Sequence, residues 1–298
     1  MTPAPLPIDA LPARRPGRWI LGALALAAVT AIAIAFARSP NIQWAEVGGY
    51  FLDGRILSGL GMTLLLTVLC MVIGVLGGIL LAVMKLSGNP VLQQLSWWYV
   101  LFFRGTPVLV QIILWFNLSL VFPTLLGLPT NAVITAFGAA LLGLGLNEAA
   151  YMAEIVRSGI DSVDDGQSEA TAASGLTRAQ SLRFVVLPQA LRAIIPPTGN
   201  QFIGMLKSTS LVSVIATQEL LTKAQHIYSQ NFLTIELLIV ACLWYLLMTT
   251  VATILQSLLE QRLSAGDRRI RTVGVRGFLE RAFRLNRGPA VIDWGGPR

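Results

Sequence analysis

Between Arg55 and Lys85 the chain runs from Ile56 to Met84 without an Asp, Glu, Lys or Arg. A helix rises 1.5 Å per residue and the hydrocarbon core of a bilayer is roughly 30 Å thick, so about 20 apolar residues suffice to cross it. This window is longer than that, which restricts it to the interior of a membrane. Similar windows recur. Trp19 to Ala37 lies between Arg18 and Arg38, and Gly105 to Asn147 carries no charge and is long enough for two crossings. Pro123, Gly127 and Pro129 inside it are breakers suited to a tight turn. Ile194 to Ile215 is apolar except for Lys207, and Leu233 to Leu259 except for Glu236. Together they predict an all-α integral membrane fold of about six spans.

Composition supports the same class. The 298 residues are 54% hydrophobic and 12% charged, whereas soluble domains carry about 25% charged residues. Cys70 and Cys242 lie inside apolar runs and behave as small hydrophobes, leaving the redox compartment unread. The first window has a basic start and a small-residue end, "AFARSP", like a secretion signal, but it exceeds the usual 7–15 residue apolar region and is expected to be retained. The net charge of +7 follows topology rather than nucleic acid binding. With Arg14, Arg15 and Arg18 cytoplasmic, the alternation places Lys85, Arg104, Arg157, Arg178, Arg183, Arg192 and the tail from Arg262 to Arg298 on the same side, and only Arg38, Arg55 and Lys223 opposite. Cationic loops favour the cytoplasm, so both termini are expected there. Gly74 and Gly78, with Gly138, Gly143 and Gly145, are expected to let helices approach closely.

One stretch is too polar for lipid: "EATAASGLTRAQSLRFVVLPQAL", Glu169 to Leu191. Glu169 to Ser174 favours helix, Gly175 suits a left-handed stop, and Thr177 to Gln180 has capping-box spacing. A second helix is expected to run to about Val186, where Pro188 stops or bends it. Such a hairpin rests on the cytoplasmic face as a handle.

These residues resemble the EAA loop of ABC-transporter permeases: Glu169, Ala170, Gly175, Leu187 and Pro188 stand at the expected places, with Thr171 for the second Ala and Val185 for an Ile. "FRGTPVLVQIILWF", "AAYMAEIVRSGI", "VLPQALR" and "MLKSTSLVSVI" extend the likeness over about Ile56 to Leu259 and place it in the polar amino acid (histidine, glutamine and glutamate) subgroup. The resemblance implies a permease subunit of an importer in the bacterial cytoplasmic (inner) membrane, moving polar amino acids with energy from ATP and Mg bound on a separate ATPase subunit, and no cofactor in this chain. It implies two ATPase copies seated on the hairpins, a second permease (the same chain or a sister), an extracytoplasmic solute-binding protein, membrane lipid around it and no nucleic acid. It divides the chain into a cytoplasmic segment 1–18, an added span 19–37, a permease domain 56–259 with its coupling loop 162–191, and a basic tail 260–298. Small side chains at Ala170, Ala172 and Ala173 suit close seating, with Glu169 pairing a basic group on the ATPase.

Ionisable groups within spans are costly and mark pathways. Glu148 and Lys207, with Asn147 and Gln201, are the candidates for the translocation path, and Glu236 and Glu154 accompany them. Structural pairing is the competing reading: Glu154 with Arg157 one turn on, and Glu148 with Lys207. "RGTP" at Arg104 to Pro107 is expected to start a helix. "GNQFIGMLKST" imitates a phosphate loop, but Met205 and Leu206 separate the second glycine from Lys207 and no strand precedes it. His226 is expected at the surface. In the tail, Phe278, Leu279, Ala282 and Phe283 against Arg276, Arg284 and Arg287 suit an anionic leaflet or a disordered basic end. The competing functions are an ATP-independent carrier or channel, for which no second copy of any segment is visible, and a membrane enzyme, for which no nucleophile-base or metal cluster is visible.

Overall fold

The computed structural model describes residues 16–264. The basic arm around Arg14 and Arg15 and the tail with Phe278 and Arg276 lie outside the described residues, so the expectations for them stand untouched.

Helix α1, Pro16–Ala37, is apolar on all sides and exposed throughout from Ile20 to Ala37. Among the described residues, those from Trp44 onward form one compact unit. Its elements are α2 (Trp44–Phe51), α3 (Gly54–Leu86), α4 (Pro90–Gly105), α5 (Val108–Phe116), a two-residue hairpin of β1 (Thr124–Leu125) and β2 (Leu128–Pro129), and α6 (Thr130–Val133). There follow α7 (Ala136–Asp161), α8 (Asp165–Ala173), α9 (Arg178–Ser181), α10 (Leu187–Ser208), α11 (Leu220–Asn231) and α12 (Thr234–Ser264). Among the described residues, four helices are long and apolar enough to cross a membrane, α1, α3, α7 and α12, and α4 with α5 makes a fifth if taken as one span bent by 99°.

The expected window from Gly105 to Asn147 does not divide into two crossings. The apolar pair α4–α5 begins upstream at Pro90, and the next span, α7, starts at Ala136 and continues past Asn147 to Asp161. Charges are poor span limits here, because they sit inside helices where partners neutralise them: Glu154 accepts Lys85 Nζ at 2.7 Å and Arg157 at 2.9 Å, and Arg157 reaches Asp161 at 2.6 Å. The window from Ile194 to Ile215 is also divided, into the end of α10 and a 3-10 turn from Thr209 to Ile215. The expected tight turn is present, with Leu126 and Gly127 at positive φ between the paired strands.

Local chemistry fixes the helix starts. Asp53 caps α3, accepting Arg55 N at 2.8 Å, and Asn89 caps α4, accepting Val91 N at 2.9 Å ahead of Pro90 in the first turn. The break between α4 and α5 has a definite cause. Pro107 has no N–H, so the Phe103 carbonyl four residues earlier loses its helical donor. Two side-chain amides replace it: Gln111 Nε2 donates to Phe103 O at 3.0 Å and Asn147 Nδ2 at 2.6 Å. In lipid such compensation is obligatory, because water cannot supply it.

The most extensive interface joins α3 and α7. A side chain at Gly74 would collide with Glu148, and one at Gly78 would come within 2.8 Å of the Met152 backbone. Gly145 faces Ile73, and Gly143 gives the same close approach to Ile112 of α5. Gly138 does not share in this packing, because its N–H is capped by Thr135 Oγ1 at 3.2 Å and its Cα faces only that hydroxyl. Leu66, Cys70, Ile112, Leu144 and Met205 form a buried cluster beside the seam, so Cys70 acts as the small hydrophobe expected, while Cys242 is exposed. Helix α4 is fastened to both partners by Ser96 Oγ donating to Leu81 O at 2.8 Å and Tyr99 OH to Leu146 O at 2.9 Å.

Gly78→Leu is expected to cost about 3 kcal/mol, the upper part of the overpacking range, because backbone rather than a flexible side chain meets the new atoms. Thermal unfolding in detergent micelles checks this, with Gly61→Leu as the control, since a Cβ at Gly61 meets nothing within 4 Å. At the other end of the helix, the Arg55 guanidinium beside Asp53 holds its carboxyl below the usual carboxylate range. A depressed carboxylate stabilises the fold above its unfolded pKa and loses that contribution as pH falls through the folded value. Asp53→Asn is therefore expected to flatten the acid side of the melting-temperature profile, at pH 4 and below.

Candidate functional site

Two regions collect the residues singled out from the sequence. The first is the polar hairpin. Helix α8 starts at Asp165, earlier than Glu169, because Asp164 caps it by accepting Gly166 N at 2.7 Å. Gly175 takes φ +76, where a Cβ is disfavoured, and returns Leu176 N to Thr171 O at 3.1 Å. Thr177 and Gln180 form the capping box: Gln180 N donates to Thr177 Oγ1 at 3.3 Å and Thr177 N to Gln180 Oε1 at 2.9 Å. Thr171, which stands where the motif has alanine, is buried and bonds Ser181 Oγ at 2.6 Å, stapling the two arms together. Glu169, Ala170, Ala172, Ala173 and Gly175 are exposed, so the tip offers a charged group over small side chains.

The second arm does not stop at Pro188. After α9 the backbone makes one π-helical turn, Leu182–Val186, and passes directly into α10, where Leu187 and Pro188 occupy the first turn. The wider turn moves Leu187 N onto the Leu182 carbonyl, so the missing proline N–H is absorbed by a shift of register instead of a break. Leu187 and Pro188 are exposed at this junction. The second arm of the hairpin and α10 are thus one continuous helical rod.

The second region lies inside the bundle. Glu148 is buried against Gly74 and accepts Gln201 Nε2 from α10 at 3.1 Å and 3.4 Å. Asn147, next to it in sequence, points elsewhere, donating to the Phe103 carbonyl and lying 3.4 Å from Gln111 Oε1. Lys207 is exposed near the end of α10 and makes no ion pair with Glu148. The structure therefore joins Glu148 with Gln201 and separates Asn147 and Lys207 from them. Glu154 is held by Arg157, in line with the pairing read from their spacing, and by Lys85 from α3 in addition. Glu236 is buried in the first turn of α12, and His226 is exposed on α11. The phosphate-loop imitation is helix from Gly199 to Ser208, which cannot cradle phosphate with consecutive amides.

Glu219 is a residue that the sequence reading misses. It is fully buried and caps α11 by accepting Leu221 N at 2.8 Å, Thr222 N at 2.7 Å and Thr222 Oγ1 at 2.9 Å, while Tyr245 OH of α12 donates to it at 2.7 Å. Glutamate is not among the preferred N-caps, so its spacing gives no local signal, and the tyrosine contact is tertiary.

The chain has counterparts among known proteins. Residues 74–265 match the family described as binding-protein-dependent transport system inner membrane component. The arginine transport system permease protein ArgU of Corynebacterium glutamicum is 42% identical over 277 residues, 91% of this chain and 88% of that one. The overlap is too long to leave out α1 altogether. The probable amino-acid permease protein YxeN of Bacillus subtilis is 40% identical over 70% of this chain and 91% of its own. The crystal structure of an amino acid ABC transporter with histidines superposes at a TM-score of 0.68 with 38% identity, covering 74% of this chain and 99% of that one. The chain belongs to the family of inner membrane components of binding-protein-dependent transport systems.

Proposed function

We infer that this multi-pass inner membrane protein is the permease subunit of an ATP-binding-cassette importer for polar amino acids. The observation that carries the reading is the hairpin of α8 and α9, exposed at its tip and continuous with α10. A force applied to such a handle moves a membrane helix without an intervening hinge. Relatives named as arginine and amino-acid permeases support the solute class.

In this reading the permease domain spans 56–259, with coupling segment 162–191, an added span 19–37 and cytoplasmic ends 1–18 and 260–298. Energy comes from ATP and Mg on a separate ATPase subunit, present in two copies, and this chain holds no ATPase site of its own. Glu169, Ala170 and Gly175 meet that subunit, and Leu187 and Pro188 join the handle to α10. Two permeases pair so that each ATPase has a hairpin to move, and an extracytoplasmic binding protein delivers the solute. Both termini face the cytoplasm, as the distribution of Lys and Arg favours. Glu148 and Gln201 form the polar point on the path, with Lys207 nearer its mouth; Asn147 contributes by holding the α4–α5 bend. No observation favours an ATP-independent carrier.

Two outcomes test this. A Cβ at Gly175 meets nothing within 4 Å, so Gly175→Ala adds only the left-handed penalty of about 1–2 kcal/mol and should retain the co-purifying ATPase subunit. Gly175→Arg should fold, as monitored by size-exclusion profile, and lose it. Unchanged association with Gly175→Arg would remove the hairpin from the coupling role. For the path, Lys207→Met and Glu148→Gln should each lower uptake of labelled amino acid by about tenfold, equivalent to 1.4 kcal/mol, while leaving complex assembly intact. Equal losses of uptake and assembly would make both residues structural.

A further inference from the structure

A cleft of about 440 Å³ opens among α3, α4 and α7, and the side chains that line it include Lys85, Trp97, Leu101, Arg104, Tyr151 and Glu154. Lys85 stands in the last turn of α3, a helix of 33 residues that is apolar enough to cross a membrane. The cleft therefore opens where a span leaves the hydrocarbon, at the level of lipid head groups. Tyr151 and Glu154 are three residues apart on α7 and so share one face. Each meets one cation: the Arg104 guanidinium lies 5.2 Å from the centroid of the Tyr151 ring, and Lys85 Nζ donates to Glu154 Oε1 at 2.7 Å. The two cations thus attach to α7 one helical turn apart, roughly 5 Å.

Charge in and around the cleft does not balance. Glu154 is engaged by Lys85 on one carboxylate oxygen and by Arg157 on the other, and Asp161 is engaged by Arg157 again. Lys85, Arg104 and Arg157 against these two carboxylates leave one positive charge over, and it rests on Arg104. Arg104 is exposed, and beyond the tyrosine ring its guanidinium forms no hydrogen bond or ion pair with a described residue. A ring face leaves the guanidinium N–H groups without an acceptor, and a cation in a span without a counter-ion is costly. The planar fork of donors fits the paired oxygens of a phosphate. The walls indicate what carries that phosphate. Trp97 and Leu101 are 44% and 47% exposed, an apolar surface that a small soluble anion would leave bare and an acyl chain covers. Basic pockets between spans at this level suit anionic lipid heads.

We propose that this cleft binds the head group of an anionic phospholipid, such as phosphatidylglycerol. Arg104 donates to the phosphate oxygens, Lys85 adds its charge one turn away, and an acyl chain lies over Trp97 and Leu101. The single negative charge of this head matches the excess on Arg104, whereas a zwitterionic head would bring a further cation towards Lys85. A lipid so held fastens the end of α4 to α7, shortly before α7 gives way to the polar hairpin. The site does not depend on which solute the chain carries, and its test measures no transport.

The test is native mass spectrometry of the full complex, purified and exchanged into phosphatidylglycerol or into phosphatidylcholine with the same acyl chains. Phosphatidylglycerol should be retained at least tenfold more, and Arg104→Gln should bring it down to the phosphatidylcholine level. So should Leu101→Glu, which leaves every cation in place but gives Arg104 a carboxylate three residues away on its own helix. Size-exclusion profiles check that both variants assemble. Arg55→Gln, which removes a cation at the opposite end of α3, should leave retention unchanged. Equal retention of the two lipids, or a preference for phosphatidylglycerol that survives either cleft variant, would overturn the proposal. So would displacement of the lipid by excess amino acid, which would make the cleft part of the solute path. A disulfide between Leu101→Cys copies in two permeases would overturn it as well, by showing that protein covers the cleft.

Discussion

Helices inside hydrocarbon gain nothing from hiding apolar surface from one another, so their association depends on contact close enough for dispersion and backbone approach. In this chain that contact is the seam between α3 and α7, where Gly74 and Gly78 admit Glu148 and Met152 to positions that any side chain would occupy. The seam fixes the parallel register of the two helices. It thereby brings Lys85 beside Glu154 and turns Glu148 inward to Gln201. Helix α4 follows, because its anchoring hydroxyls reach carbonyls of both seam helices.

A second constraint is the cost of an unpaired backbone group in lipid, and it explains how the protein uses its prolines. Pro107 frees the Phe103 carbonyl, which Gln111 and Asn147 then hold, and the result is a sharp, well-supported corner. Pro188 is handled differently. There the backbone changes register over Leu182–Val186, and the helix stays unbroken from the hairpin into the bundle. One proline makes a corner and the other is carried within a rod, and both outcomes follow from where the lost hydrogen bond is made up.

Much of this is legible in the sequence. The hairpin can be read nearly residue by residue, because Gly175, Thr177 and Gln180 act locally and their spacing carries the geometry. The apolar cores of α1, α3 and α12 are equally plain. Span limits are not, since a charge suggests a membrane surface, whereas Arg104, Glu148 and Glu154 lie within helices, and Glu148 and Glu154 find partners on distant ones. Asn147 shows the same limit: its polar side chain at mid-span suggests a path, and only the fold reveals the carbonyl it serves, 44 residues away. Thr171 and Ser181, ten residues apart, and Glu219 with Tyr245, 26 apart, are beyond local pattern for the same reason.

Coupling of the handle to the bundle depends on the hairpin and α10 moving as one body. Spin labels at Ala179 and Ala193, in a Cys242→Ser background with Cys70 buried, would sit roughly 20 Å apart along a continuous helix. A second pair at Ala173 and Val83 would report the hairpin against α3. With the ATPase subunit bound, adding nucleotide should shift the second distance and leave the first unchanged. A change in the first distance would place a hinge at Pro188 and contradict the rod.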